Sequence, residues 1–407
     1  MLELNLIHTL AFAGVVLMLG YLLRRWVPLL GRLNLPAAVL GGLLVSVAVL
    51  VARNNEFTLF EFDTTLQSPL MIAFFTTVGF AASLSMLKVG GPQVLRFFAI
   101  ATGFALLQNV LGVVIALLFG LHPLFGVLAG SVTLTGGPAT GLAFAPQFEA
   151  AGVTGAASVA VAMAMAGIIG GALIGSPIGT WLIERNRLHS ARGRVPSSVT
   201  TTVTTDVRID AEPESPGDED SAETWGVLKN VVVLLVAMWA GSYVSAGFAA
   251  LDITLPAYIG AMLVAAAIRN LDDMTGWLGL SMRVLDTIGA VALSLFLVLA
   301  LMNLKLWELS SLALPLLISL VAQLGLIIIS APLVFRWMGH DYESAVMTGG
   351  FIGFMLGTTA NAMAVMRALV ERYGAAPRAF LVAPMVGAFF IDFTNALMIT
   401  AGLNLLG

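Results

Sequence analysis

The chain has 407 residues and a net charge of -4, with 59% hydrophobic and only 10% charged residues. Soluble domains carry about a quarter charged residues, so a mean hydropathy of +0.97 places the chain among polytopic membrane proteins. The absence of a basic stripe argues against nucleic-acid binding, and the absence of cysteine excludes disulfides, thiolate metal centres and a cysteine nucleophile.

A membrane span needs about 20 apolar residues, and the first such window runs from 4 to 23. Arg24 and Arg25 follow that apolar core, whereas a secretory signal has its positive charge in front. The window is therefore read as a retained first span with the N-terminus outside. Further windows lie at 35–52, 68–87, 93–119 and 153–183, and, after a polar gap, at 226–248, 254–269, 284–304, 307–335 and 376–402. Between the fourth and fifth windows of each set lies a glycine-rich stretch. The first is Gly130-Ser131-Val132-Thr133-Leu134-Thr135-Gly136-Gly137-Pro138-Ala139-Thr140-Gly141, and the second runs from Gly349 through Gly353, Gly357, Thr358 and Thr359 to Asn361. Each helical glycine costs roughly 1 kcal/mol against alanine. Broken backbone at membrane depth persists only where protein buries it or where it lines a watery cavity. Paired interruptions in corresponding positions of two halves mark the binding site of a transporter.

One shift of 220 positions carries Leu35-Pro36-Ala37 onto Leu255-Pro256-Ala257, Gly137 onto Gly357 and Gly167 onto Gly387. An odd number of crossings per half inverts the second half. The predicted fold is an all-α polytopic membrane protein with ten transmembrane helices in two inverted five-helix repeats, each with a re-entrant hairpin. Residues 1–185 form the first repeat, with its hairpin at about 123–149, and residues 224–407 the second, with its hairpin at about 343–370. Residues 186–223, including Ser197-Ser198 and Asp218-Glu219-Asp220, lack apolar periodicity and are read as a disordered linker. Arg24, Arg25, Arg32, Lys88, Arg96, Arg185, Arg187, Arg192 and Arg194, and in the second half Lys229, Arg269, Arg336, Arg367, Arg372 and Arg378, fall on one side of this topology. That side is the cytoplasm. The acidic segment from Glu56 to Asp63 faces out, both termini are external, the linker is cytoplasmic, and the two hairpins enter from opposite faces.

Half-helix ends around a cavity attract a carboxylate at their N–H groups and a cation at their carbonyls. The candidate substrate-binding residues are Ser131, Thr133, Thr135, Gly136, Gly137 and Thr140, with Gly357, Thr358, Thr359 and Asn361 opposite. The alternative for each hydroxyl is that it mends broken helix backbone. Asp392 is a carboxylate within an apolar span, costing at least ~2.5 kcal/mol unless paired. With Asn395 one turn on, it is the candidate Na⁺ or proton site. Gln108 and Asn109 are further candidate cation ligands, with helix–helix hydrogen bonding as the alternative. The histidines His8, His122, His189 and His340 show no metal-ligand spacing.

The motifs Gly130-Ser131-Val132-Thr133-Leu134-Thr135-Gly136-Gly137, Ala292-Leu293-Ser294-Leu295-Phe296-Leu297 with Leu304-Lys305-Leu306-Trp307-Glu308-Leu309, Glu371-Arg372-Tyr373-Gly374, and Val386-Gly387-Ala388-Phe389-Phe390-Ile391-Asp392 with Asn395-Ala396-Leu397 make the chain resemble the bacterial sodium/glutamate symporter family along essentially its whole length outside the linker. The resemblance implies a multi-pass protein of the bacterial inner membrane, Na⁺-coupled uptake of glutamate, a homodimer in the lipid bilayer and elevator-type movement of a hairpin-bearing domain. Na⁺ is then the coupling ion, and no cofactor is implied. Two departures bear on substrate identity. The family's first loop typically reads Gly-Gly-His-Gly-Thr where Pro138 and Ala139 follow Gly136 and Gly137 here. Its second reads Gly-Leu-Gly-Ala-Thr-Pro-Thr where Met355, Thr359, Ala360 and Asn361 stand here. The alternative readings are a Na⁺-coupled transporter of another di- or tricarboxylate or hydroxycarboxylate, a passive anion channel, and an intramembrane enzyme. The last lacks a nucleophile–base pair or a carboxylate pair at membrane depth.

Overall fold

Apolar segments surrounded by lipid must close their backbone hydrogen bonds internally, and this chain does so almost throughout as α-helix. The structure, a computed structural model, describes residues 2–55, 60–190, 216–250 and 256–407. Most of the expected linker (191–215), part of the acidic segment (56–59) and Leu255 lie outside the described residues.

The first half comprises α1 (Leu6–Trp26), α2 (Pro28–Arg32), α3 (Ala37–Asn54), α4 (Gln67–Phe80), α5 (Leu84–Leu118), α6 (Pro123–Val127), α7 (Gly137–Ala150) and α8 (Ala156–Arg185). The second comprises α9 (Pro216–Ala249), α10 (Ala257–Thr275), α11 (Met282–Met302), α12 (Ala313–Met338), α13 (Tyr342–Met355), α14 (Thr359–Tyr373), α15 (Pro377–Met385) and α16 (Ile391–Leu406). Seven helical segments among the described residues are long and apolar enough to cross a membrane, and α4 and α16 are shorter apolar helices. The chain is a multi-pass membrane protein.

The structure departs from the sequence windows in several places. The last window is divided by a π-turn at Val386–Phe390 between α15 and α16, and α5 is broken at Gly91, next to Pro92. Helix α9 starts at Pro216, inside the stretch assigned to the linker; proline suits a first helical turn because its missing N–H would be unpaired there anyway. A short parallel pair, β1 (Leu2–Leu4) with β2 (Phe60–Phe62), has no counterpart in the sequence reading. Each strand is only three residues long, too short to show a period of two. Thr9 Oγ1 ties the pair to α1, donating to Leu4 O at 3.0 Å and accepting from Asp63 N at 3.1 Å.

The helices pack as two bodies. One gathers α1, α3, α4, α9, α10 and α11; the other gathers α5 to α8 and α12 to α16 around the largest buried apolar cluster. Lipid tails are as apolar as leucine, so association rests on close packing more than on apolar burial. The α1–α3 crossing is an example: a Cβ on Gly20 would collide with Ala37 O, and one on Gly41 with Val16 O. The outer faces carry exposed Met18, Leu19 and Leu22 on α1, Val232, Leu235 and Trp239 on α9, and Leu317, Val321 and Ile329 on α12. A belt of that kind belongs in a bilayer.

Candidate functional site

The first glycine-rich stretch folds as α6, a π-turn over Leu128–Val132 and then α7. Two polar groups mend the irregular turn: Thr133 Oγ1 donates to Leu128 O at 2.8 Å, and Ser131 N donates to Asn109 Oδ1 at 2.9 Å. The chain then turns at Gly137, whose φ of +70° lies in the left-handed region that glycine tolerates. Helix α7 starts there with Gly136 at its N-cap and no side-chain cap. The second stretch folds as α13 and α14, and α14 starts after Thr358, again without a side-chain cap.

The two tips touch. A Cβ on Gly137 would stand 3.0 Å from Thr358 Cγ2 and 3.5 Å from Gly357 O. Around them lies a cavity of about 460 Å³ whose wall includes Thr135, Gly136, Pro138, Ala139 and Thr140 of the first stretch, Thr358, Thr359 and Ala360 of the second, and Gly387 and Asp392. The start of α3 also lines it, at Pro36, Ala37 and Ala38. Pro36 provides no side-chain cap, so three uncapped helix N-termini converge on one cavity. Each presents N–H groups and a partial positive charge. Helix ends of this kind favour negative charge. Asp392, half-buried, is the carboxylate in its wall.

The other candidate residues lie behind the wall and are tied to one another. Ser131 Oγ donates to Asn395 Oδ1 at 2.6 Å, and Asn395 Nδ2 donates to Ser131 O at 3.0 Å. Thr135 Oγ1 donates to Gln108 Oε1 at 2.7 Å, while Gln108 Nε2 donates to Met355 O at 2.9 Å, so Gln108 ties the first stretch to the second. Gln323 Nε2 donates to Gln108 O at 2.8 Å. Asn361 Nδ2 donates to Ile168 O and to Gly353 O, each at 3.2 Å, and Asn361 Oδ1 accepts from Asn34 at 3.3 Å. These amides hold the tips against α5, α8 and α16.

The sodium/glutamate symporter family model matches residues 2–375. The sodium/glutamate symporter of Escherichia coli strain K12 is 38% identical over 401 residues, covering 98% of this chain and 97% of that protein. That of Haemophilus influenzae is 35% identical over 396 residues, covering 96% and 95%. The chain belongs to the sodium/glutamate symporter family. Symporters are transporters rather than enzymes.

In this symporter the cavity wall includes residues that sequence reasoning leaves out. Tyr21 and Arg24 of α1, Phe74, Phe75 and Val78 of α4, and Leu293, Ser294 and Leu297 of α11 all line it. In the sequence Arg24 speaks only to topology, since an arginine pair after an apolar span carries no other local sign. The start of α3 does leave a sign: Pro36 recurs as Pro256, and both stand at helix N-caps. Arg367 is exposed and outside the wall. A second cavity, of about 410 Å³, lies along the other half of the same helices, lined among others by Gln67, Leu142, Glu149, Asn303, Lys305 and Glu308. Leu142 in the wall of the second cavity and Leu297 in the wall of the first belong, with Leu301, to one buried cluster.

Proposed function

We propose that this symporter imports L-glutamate, or a closely related anionic amino acid, together with Na⁺ across the bacterial inner membrane. The observation that carries the reading is the convergence of three uncapped helix N-termini on a cavity with one carboxylate in its wall. The N-termini suit the substrate's carboxylates, and Asp392 suits a cation. In this reading Thr135, Gly136, Thr140, Thr358 and Thr359 contact substrate, and Gly137 and Gly357 let the tips approach. Ser131, Thr133 and Asn361 shape the tips, and Asn395, Asn109 and Gln108 position the elements around Asp392.

The architecture proposed is ten crossings in two inverted repeats, 1–185 and 224–407, joined by a cytoplasmic linker. Its support is that the shift of 220 relates not only residues but elements: it carries the start of α3 at Ala37 onto that of α10 at Ala257, and the end of α5 at Leu118 onto that of α12 at Met338. Contacts between helix ends agree with the alternation. Arg53 stacks on Trp307 at 3.9 Å and Ser158 donates to Lys305 O at 3.0 Å at the external ends. Arg372 meets Glu184 at 3.2 Å, and Ser83 meets Asp273 at 2.5 Å, at the cytoplasmic ends. The division into two bodies suits elevator-type movement of the hairpin-bearing one in a homodimer, with the first cavity open inward.

Purified protein in liposomes tests the reading. Saturable glutamate uptake driven by an inward Na⁺ gradient, with counterflow, is expected. Uptake that neither saturates nor responds to Na⁺ overturns it in favour of a passive pathway. Because Pro138, Ala139 and Ala360 stand in the wall where the family motif differs, a panel of di- and tricarboxylates belongs in the same assay, and preference for one of them selects the second reading.

A further inference from the structure

L-Glutamate carries two carboxylates and one ammonium. The cavity offers Asp392 and three helix N-termini, whose positive charge is only partial. A carboxylate gains more from a full positive charge with a matched pair of donors than from a helix end alone.

Arg24 is the full positive charge in the cavity wall. It lies one turn beyond Gly20 on α1, on the face that Gly20 presses against Ala37 of α3, so its place beside the start of α3 is fixed by backbone contact. Its stem lies near Gly31. Arg269, Arg372 and Arg378 are paired with carboxylates, and Arg53 and Arg185 lie over tryptophan rings. Arg24 is exposed and has neither kind of partner among the described residues, and the same holds for Arg25, Arg32, Arg96, Arg187, Arg283, Arg336 and Arg367; what sets Arg24 apart is its place in the cavity wall.

We infer, on the basis of the glutamate-binding role proposed for this cavity, that Arg24 is the specificity-determining residue that receives the side-chain carboxylate of the substrate at the cavity mouth, while the hairpin tips receive the α-carboxylate. The guanidinium offers a planar fork matched to a carboxylate. It has no such match with the amide of glutamine, so the site distinguishes the acid from its amide through this one side chain. Arg24 belongs to the first helical body and the tips to the second, so a dicarboxylate bridges the two bodies in this conformation.

The test uses full-length protein in liposomes, with KM for glutamate and the inhibition constant for glutamine measured in Arg24→Gln, Arg24→Lys and Arg25→Gln. Arg24→Gln is expected to raise the glutamate KM about tenfold or more, the size of a lost hydrogen bond to a charged group, and to leave glutamine inhibition unchanged. Arg24→Lys keeps the positive charge that sets topology but loses the fork, and falls between. Arg25→Gln, outside the cavity wall, matches wild type. Protection of Ala360→Cys from a thiol reagent by glutamate with Na⁺ is read in parallel. An unchanged glutamate-to-glutamine ratio in Arg24→Gln, with Ala360→Cys still protected, overturns the role of Arg24 and leaves the site standing. Absence of protection overturns the site and the role together.

Discussion

Gly137 and Thr358 bring the two halves of the chain into contact: a Cβ on the glycine would stand 3.0 Å from Thr358 Cγ2. The glycine also has φ at +70°, where a β-branched residue is strained by on the order of 1–3 kcal/mol. Gly137→Val is therefore expected to abolish uptake by driving the tips apart, with membrane abundance within about twofold of wild type because the cost is small against total stability. Near-normal uptake would show that the tips need not touch.

Asp392 lines the cavity and accepts no hydrogen bond among those between described residues. Asp392→Asn keeps shape and removes charge, so uptake is expected to lose its dependence on Na⁺ and fall by about two orders of magnitude, as for a charge-assisted contact made at a low dielectric. Uptake measured across a Na⁺ titration checks this, and an unaltered Na⁺ response would make Asp392 structural.

Ser131 and Asn395 form a reciprocal pair at 2.6 and 3.0 Å, both buried. Ser131→Ala leaves Asn395 Oδ1 without its donor, at about 1–3 kcal/mol for an unsatisfied buried group. Measured intramembrane bonds average only about 0.6 kcal/mol, so the lower figure is favoured. The expected result is a drop of a few degrees in melting temperature of detergent-solubilised protein, with uptake retained but reduced.

The base of the second hairpin is held by Asp341. Burial acts to raise its carboxyl, but Arg378 Nη2 at 2.5 and 2.6 Å and the Ser344 N–H and O–H at 2.8 and 2.6 Å outweigh it and hold the group below its ordinary value. A carboxyl lowered by folding contributes stability above its unfolded value of about 3.9 and loses it as the pH falls through the folded value. Asp341→Asn should lower the melting temperature near neutrality and flatten its decline below about pH 5. Parallel curves for mutant and wild type would show that the pair is not coupled to folding.

The two cavities lie at opposite ends of α7, with Thr140 beside one and Glu149 beside the other. In this cysteine-free chain, Asn303→Cys is expected to react with a membrane-impermeant thiol reagent from outside, and Thr359→Cys only with a permeant one. Labelling of both from the same side would refute the proposed orientation.

Much was determined by the sequence alone, because a bilayer imposes its demands locally. Every spanning segment must close its own backbone bonds, so the apolar windows from residue 4 to residue 402 stand out without knowledge of their neighbours, and so do the glycine-rich interruptions at Gly136 and Gly357. Asp392 stands out for the same reason, as a charge in an apolar run. Which residues meet was decided only by the tertiary structure. Lipid and protein interior are both apolar, so the faces of α1, α4 and α11 that line the cavity carry no hydropathy signal separating them from faces in lipid. In the sequence Arg24 is a topology marker; the Gly20–Ala37 contact brings it into the same cavity wall as Thr359, more than three hundred residues away in the chain. Gln108, Asn109 and Asn395 have the chemistry of cation ligands, but in the fold Thr135, Ser131 and the Met355 carbonyl engage them. An amide advertises its hydrogen-bonding capacity in the sequence, but the partner that takes it up is chosen by packing.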